Sequence, residues 1–404
     1  MPCTKPVIRK PPPPRRCCTD DSVSDILSRQ SMRHIRSRAY YFRRCKKEMP
    51  ANIECLPKDL LFEILLRLPT DHLYERVRLV CRRWYHIIHS HAFINSQMHG
   101  STYGLLLSPR KAKALPLYVT ADADGGIHTS ELNHISKWGV LATCNGLVLE
   151  LDNKRFPRLA NPATKQSFLL PPYPKGGMYY PLYYGLACSA ASLAYKVIAP
   201  SPVYPAPLRQ IDHGLVVLTV GVDESWRNVE VHHLPDHVRR CLLPQTPMNS
   251  EGFLHWARGR YCATMDVETE IITLSEAPYE YHESKYRYLS TGRCVSLLVV
   301  CGDLSWEVWE MKAETGEWRK ALPNVDLGAE KCRIQPFGRV LEPLGWVKYP
   351  HVLAFYFTAF YGEEWRHCIF YNLDTHQLHS IELPKSYSMH YRAFPHKNNL
   401  IWLS

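Results

Sequence analysis

Leu56-Pro57-Lys58-Asp59-Leu60-Leu61-Phe62-Glu63-Ile64-Leu65-Leu66-Arg67-Leu68-Pro69 is the stretch on which the architecture turns. A proline second in the run suits the first turn of a helix, where a missing N–H does no harm. Leu60, Leu61, Ile64, Leu65 and Leu68 then recur at spacings of one, three and four, the face of a 3.6-residue period, and Pro69 ends the helix. Thr70 and Asp71 carry side-chain oxygens suited to cap the helix that follows. Its apolar positions are Leu73, Val77, Val80, Cys81, Trp84, Ile87 and Ile88, alternating with Arg76, Arg78, Arg82 and Arg83. The pattern predicts two or three short amphipathic helices within residues 51–98. About 40 residues remove too little surface from water to be stable alone, so the unit needs a partner, either the rest of its own chain or another polypeptide.

The run from Leu56 to Pro69, followed by Arg78-Leu79-Val80-Cys81-Arg82-Arg83-Trp84 and Ile87-Ile88, resembles the F-box motif without a gap. The opening Leu-Pro, the helix-one leucines and the Val-Cys-x-x-Trp signature carry the resemblance. It implies a three-helix module that docks on a Skp-type adaptor and, through it, on the cullin scaffold of an SCF ubiquitin ligase. The joint core and adaptor surface fall to Leu56, Pro57, Leu60, Leu61, Ile64, Leu65, Leu68, Val80, Cys81 and Trp84. Spacing does not separate those two roles.

Outward from this module the composition shifts. Residues 1–50 hold 13 Lys and Arg against 4 Asp and Glu, most of the formal net charge of +11. Pro11 to Pro14 mark an extended, solvated tail. Ser24 to Lys47 has the makings of a basic helix, and Arg43-Arg44-Cys45-Lys46-Lys47 suits an import signal or phosphate contacts. Basic charge confined to an arm argues against a folded nucleic-acid-binding face. The longest apolar runs, Gly214 to Val222 and Val295 to Cys301, are less than half of what a membrane helix requires. No membrane partner is expected, and the expected location is cytoplasmic and/or nuclear. The 14 Cys include no C-x-x-C pair, so they read as reduced, mostly buried thiols.

Beyond residue 100 the pattern is short strands and turns. Gly104-Leu105-Leu106-Leu107, Gly146 to Leu149, Tyr195 to Ile198, Leu215 to Val220, Val295 to Val300 and Val352 to Phe357 are strand-like runs bounded by turn residues. A weak repeat runs through them. Trp-Arg follows an acidic turn at Trp226-Arg227, Trp318-Arg319 and Trp365-Arg366, at separations of 92 and 47 residues. Ala163-Thr164, Glu268-Thr269, Glu314-Thr315 and Asp374-Thr375 each lead into a strand that stops at Pro171, Pro278, Pro323 or Pro384. A period near 46 matches propeller blades, typically about 40 to 50 residues each. The fold class expected is a small all-α helical module followed by an all-β domain, a six- or seven-bladed β-propeller, with a two-sheet sandwich as the alternative. Residues 1–50 are then the tail, 51–98 the helical module and 101–404 the β domain. Closure is expected through Leu400-Ile401-Trp402-Leu403 pairing near Leu105.

This region also looks like the plant F-box-associated, kelch-like domain, through Cys144-Asn145-Gly146-Leu147-Val148, Asn161-Pro162-Ala163-Thr164-Lys165, Ala194 to Ile198, Gly252 to Trp256 and Trp306 to Met311. The stretch from Ser108 to Ile135 fits that pattern less well.

Catalytic signatures are missing from the sequence: there is no G-x-S-x-G, G-x-x-x-x-G-K or H-E-x-x-H. His232, His233 and His237 are the most ligand-like cluster, but Pro235 interrupts any helix that would align them, so no metal or cofactor is expected. Tyrosines in proline-stiffened loops, Tyr173, Tyr179, Tyr180, Tyr183, Tyr184 and Tyr204, suit a target-recognition surface at small entropic cost. The expected function is that of a non-catalytic substrate receptor for an unidentified target protein. A basic-tailed nucleic-acid-associated protein and a propeller-housed small-molecule enzyme are the alternatives.

Overall fold

The computed structural model describes residues 56–109, 115–132, 139–151, 156–174, 183–201, 214–242, 245–279, 286–334, 340–358, 367–383 and 391–401. The basic tail, Tyr179, Tyr180, Tyr204, Trp365-Arg366 and Trp402-Leu403 lie outside these residues. Two compact units divide between Ile64 and Leu65. The helical segments are α1 (Lys58–Leu66), α2 (Thr70–Glu75), a 3-10 turn (Val77–Leu79), α3 (Arg82–Ile88) and α4 (His91–Gly100). Thr70 opens α2 rather than capping it: its hydroxyl donates to the Asn398 carbonyl at 2.9 Å and accepts from Gln97 Nε2 at 3.0 Å. The side chain that does cap is Ser90, whose Oγ accepts from the Phe93 N–H at the start of α4.

From Gly104 the described residues form six antiparallel blades, five of four strands and one with a fifth short strand. In chain order the first three strands are β1 (Gly104–Pro109), β2 (Leu117–Ala121) and β3 (Ile127–Glu131). Blade 2 is β4 (Val140–Cys144), β5 (Leu147–Leu151), β6 (Pro157–Asn161) and β7 (Gln166–Leu169). Blade 3 is β8 (Gly185–Cys188), β9 (Tyr195–Pro200), β10 (Leu215–Thr219) and β11 (Arg227–Val229), followed by the short α5 (Asp236–Leu242). Blade 4 is β12 (Met248–Ser250), β13 (Phe253–Arg258), β14 (Tyr261–Asp266) and β15 (Ile272–Glu276). Blade 5 is β16 (Tyr286–Ser290), β17 (Val295–Gly302), β18 (Ser305–Met311) and β19 (Trp318–Lys320), with β20 (Val325–Asp326) also on β18 and α6 (Lys331–Ile334) after it. Blade 6 is β21 (Val340–Lys348), β22 (Val352–Thr358), β23 (His367–Asn372) and β24 (Leu378–Glu382).

All six strand-like runs read from the sequence fall on strands, except that Gly146 and Val220 belong to the adjoining turns. The blade count is six, and the poorly fitting stretch after Ser108 supplies β2 and β3. The closing strand differs from expectation. It is β25 (Tyr391–His396), which completes blade 1 by pairing with β1 from Gly104↔His396 to Pro109↔Tyr391. Leu400 and Ile401 instead follow that strand: the Leu400 N–H donates to Gln97 Oε1 at 2.9 Å, and Ile401 packs among the side chains between blades 2 and 3. Asn161 Nδ2 donates to the carbonyls of Asn399 (3.1 Å) and Ile401 (2.8 Å), so the segment after β25 is stitched to blade 2 and to α4.

The repeat has a physical basis. Each of the four threonine devices is the turn between the third and fourth strands of a blade, and the residue after each threonine is left-handed: Lys165, Glu270, Gly316 and His376. In three of them an Asn or Asp three residues before the threonine holds the turn. The side-chain carboxamide or carboxylate oxygens of Asn161, Asp266 and Asn372 accept from the two backbone N–H groups ahead of them. The Trp-Arg pairs at Trp226 and Trp318 open the outer strands of blades 3 and 5, two blades apart.

Both faces of every sheet are covered, which explains fully buried strands such as β1, β4 and β10. Alternate residues serve opposite neighbours. Leu105 and Leu107 pack with Val352, Ala354 and Phe370 of blade 6, while Leu106 between them packs with Val140 and Val148 of blade 2. Val216 and Leu218 face blade 2, whereas Leu215 and Val217 face Leu254 and Trp256 of blade 4. Trp346 is buried between blades 5 and 6, its Nε1 donating to Ser296 Oγ at 2.8 Å.

Two buried histidines tie this packing to pH. His255 sits between Ser250 Oγ (2.7 Å) and Thr264 Oγ1 (3.0 Å), and burial lowers its pKa from 6.5 to about 3. Burial likewise lowers His396, edge-on to Tyr118, to about 4. Both are held neutral in the fold, so below the unfolded value the unfolded chain binds more protons. Their contribution is complete above pH 6.5 and is lost on acidification, at about 1.4 kcal/mol per histidine per pH unit. The urea midpoint is expected to drop between about pH 7 and pH 5, and His255→Gln to remove roughly half of that slope. A midpoint that does not move over this range would contradict the assignment.

Candidate functional site

The helical module separates residues that the sequence reading grouped together. On α1 the i,i+4 pair Leu61 and Leu65 is fully buried, whereas the adjacent pair Leu60 and Ile64 is 53% and 42% exposed. Val80 is 61% exposed. Pro57 is exposed, and Leu56, Leu68, Cys81 and Trp84 are half-buried. Leu61 and Leu65 are therefore core residues. The sequence reading passed over Leu79, 69% exposed at the end of the 3-10 turn. Its position beside Val80 was the available signal: two apolar residues in succession cannot both turn inward on so short a turn. Leu60 and Ile64, one turn apart on α1, hold two large apolar side chains in water side by side, an arrangement suited to a partner helix.

The tyrosine cluster divides in a similar way. Tyr184 is buried and packs with Tyr173 and Trp226, ring centroids 6.3 and 6.2 Å away, and Trp226 Nε1 donates to the Pro171 carbonyl at 3.1 Å. Tyr173 is half-buried, its hydroxyl bound to the Pro200 carbonyl, and burial raises its pKa. These two side chains fasten blade 2 to blade 3. Tyr183, at 41% exposure, remains on the surface.

The histidine cluster does not converge. His233 Nε2 lies 2.8 Å from the Ile272 carbonyl, His232 Nδ1 is 3.3 Å from Arg239, and His237 packs against the Tyr261 ring. Of the described cysteines, Cys144, Cys188, Cys262 and Cys368 are buried; burial raises the Cys188 thiol to about 11 and those of Cys262 and Cys368 to about 12. Cys301 and Cys332 are exposed. No described helix is long and apolar enough to cross a membrane.

The innermost strands β25, β4, β8, β12, β16 and β21 form a closed ring, each against the next. They enclose a cavity of about 400 Å³ to which every blade contributes, among others through Leu105, Thr143, Leu186, Asn249, Ser290 and Gly345. A belt of hydrogen bonds crosses it: Thr143 Oγ1 donates to the Pro395 carbonyl (2.6 Å), Asn249 Nδ2 to the Thr143 carbonyl (2.5 Å), and Ser290 Oγ to the Asn249 carbonyl.

A short helical module leading into a six-bladed β-propeller defines the class. Residues 53–96 match the F-box domain, so the helical module is an F-box. The chain is 32% identical over 157 residues to F-box protein CPR1 of Arabidopsis thaliana, covering 35% of this chain and 37% of that protein. It is 26% identical over 247 residues to F-box only protein 8 of Arabidopsis thaliana, covering 55% and 80%. The chain thus spans little more than a third of the length of CPR1. Among solved structures, TolB from Acinetobacter baumannii aligns with a TM-score of 0.39 at 9% identity, over 77% of this chain and 71% of that one.

Proposed function

We propose that this protein is the substrate-recognition subunit of an SCF-type E3 ubiquitin ligase. The F-box binds a Skp-type adaptor and, through it, a cullin scaffold, while the propeller binds a target protein. The chain's own role is non-catalytic. By holding a target near a ubiquitin-charged enzyme, it raises the effective concentration of target lysines, and the bond-making groups belong to other subunits. It acts in the cytoplasm or nucleus. The observation that carries this reading is the match of residues 53–96 to the F-box domain, together with Leu60, Ile64, Leu79 and Val80 standing in water on that same segment.

Affinity capture from source cells with the proteasome blocked tests it, comparing the intact chain with one lacking residues 55–98. The intact chain is expected to bring down a Skp-type adaptor and cullin. The deleted chain should lose both yet keep the target. Recovery of the adaptor with the deleted chain would contradict the proposal.

A further inference from the structure

Three turns of blades 3 and 4 hold large apolar side chains in water. Leu193 in the β8–β9 turn is 49% exposed, Val222 in the β10–β11 turn 74%, and Ile271 in the β14–β15 turn 61%. Ala190 and Ala191, ahead of Leu193, are exposed as well. Turn geometry does not ask for such residues, because Gly, Asn, Asp and Ser serve it better. Leu193 is the clearest case. Its backbone is left-handed (φ 57°), a conformation in which glycine or asparagine is at ease and a leucine is strained, yet its side chain stands half in water.

One network of polar contacts joins the three turns. Glu268 accepts from Ser189 Oγ and, at 2.6 Å, from the Oγ of Ser192, the residue before Leu193. Lys196 Nζ donates to the Glu268 carbonyl at 3.3 Å and to Glu270 Oε1 at 2.7 Å. Arg227 donates to both oxygens of Glu270, the residue before Ile271, and through Nε to Asp223, the residue after Val222, at 3.3 Å. Each exposed apolar residue is therefore the chain neighbour of a network member, and the three belong to one patch. The carboxylates of this network, Asp223, Glu268 and Glu270, outnumber Lys196 and Arg227, and the exposed Glu224 adds a further negative charge. Both cations pair with Glu270 or Asp223. Glu268 is held by hydroxyls instead: Ser189 and Ser192 keep its pKa below the ordinary glutamate value, and no described cation lies within ion-pair distance of its carboxylate. The equivalent turn of blade 2 carries α2, with Lys165 Nζ 2.8 Å from Glu75.

We propose that this patch of blades 3 and 4 is a docking surface for the target protein, and that it takes a segment in which aliphatic side chains alternate with Lys or Arg. The aliphatic side chains cover Leu193, Val222 and Ile271, and a basic side chain pairs with Glu268. A second copy of the chain is a poorer occupant, since it would set one excess of carboxylates against another. The inference rests on the substrate-receptor reading, and adaptor co-purification, a property of the F-box, reports on that reading separately.

The test is fluorescence polarisation of the full chain with a labelled decapeptide of alternating leucine and lysine, beside leucine–glutamate and serine–lysine decapeptides. The leucine–lysine peptide is expected to bind saturably at one per chain, more weakly as salt is raised, and the other two not to bind. Val222→Ser with Ile271→Ser should weaken binding at least tenfold, the scale of two lost aliphatic contacts. Glu268→Gln, which keeps an oxygen for the two serines, should weaken it about threefold and reduce the salt dependence. Leu169→Ser, exposed on β7 of blade 2, should bind as the parent does. All these side chains are exposed, so each variant is expected to keep the parental melting temperature and its adaptor. The proposal is overturned if the leucine–lysine peptide does not bind up to about 1 mM, if the leucine–glutamate peptide binds equally well, or if the Val222/Ile271 variant binds as the parent does. It is also overturned if the parent is a dimer that this variant dissociates, which would make a second copy the occupant.

Discussion

Replacing Leu60 and Ile64 together by lysine is expected to abolish binding of a Skp-type adaptor and leave the chain's thermal unfolding unchanged. Both side chains already stand in water, so in the free chain the new ammonium groups stay hydrated and the effect on stability is within about 0.5 kcal/mol. Under an adaptor helix each would be an unpaired buried charge costing several kcal/mol. Two such costs correspond to a loss of affinity well beyond about a hundredfold. Leu61→Lys is the informative contrast. That side chain is fully buried, so its substitution should lower the melting temperature and disorder the helical module whether or not an adaptor is present. Gel filtration with purified adaptor and a thermal melt of each variant distinguish the two. Retained adaptor binding in the Leu60/Ile64 variant would remove the exposed face from the account.

Deleting residues 391–404 is expected to prevent cooperative folding of the β unit. The deletion removes the strand whose pairing from Gly104↔His396 to Pro109↔Tyr391 closes the ring. It takes Phe394 from the side chains between blades 1 and 2, and Ile401 from those between blades 2 and 3. It also strips Asn161 of both carbonyls that its amide engages, and it exposes the whole edge of β1, an unpaired apolar strand prone to association. Circular dichroism and urea unfolding should show a broad, non-cooperative transition or an aggregated product. A sharp parental transition in the truncated chain would mean that closure by β25 contributes little.

Much of this architecture could be read in advance, for identifiable reasons. The apolar runs around Leu105, Val197, Val216 and Leu297 stand out because strands covered on both faces carry almost no polar residues. The threonine turns stand out because a left-handed residue must follow the third strand of each blade, and Asn or Asp three residues before the threonine satisfies the exposed N–H groups. The closing strand did not stand out. Tyr-Arg-Ala-Phe-Pro-His contains a proline that cannot donate to a ladder, while the later Leu400-Ile401 pair has the stronger apolar character. In the fold Pro395 needs only its carbonyl, which receives the Thr143 hydroxyl.

The division of the site was hidden for a different reason. Leu60 and Leu61 are neighbours about 100° apart on a helix, so a wide apolar stripe is consistent with either one pointing inward. Tyr183 and Tyr184 pose the same ambiguity at the start of blade 3, where one is exposed and the other buried.

The central claim is that Leu60 and Ile64, exposed on α1 of the F-box, are made to be covered by an adaptor. Titrating the purified full chain with a purified Skp-type adaptor in a calorimeter at several temperatures addresses it most directly. The account predicts a one-to-one complex of micromolar affinity or tighter, with a negative heat-capacity change, the mark of apolar surface leaving water. No binding, or binding with a heat-capacity change near zero, would contradict it.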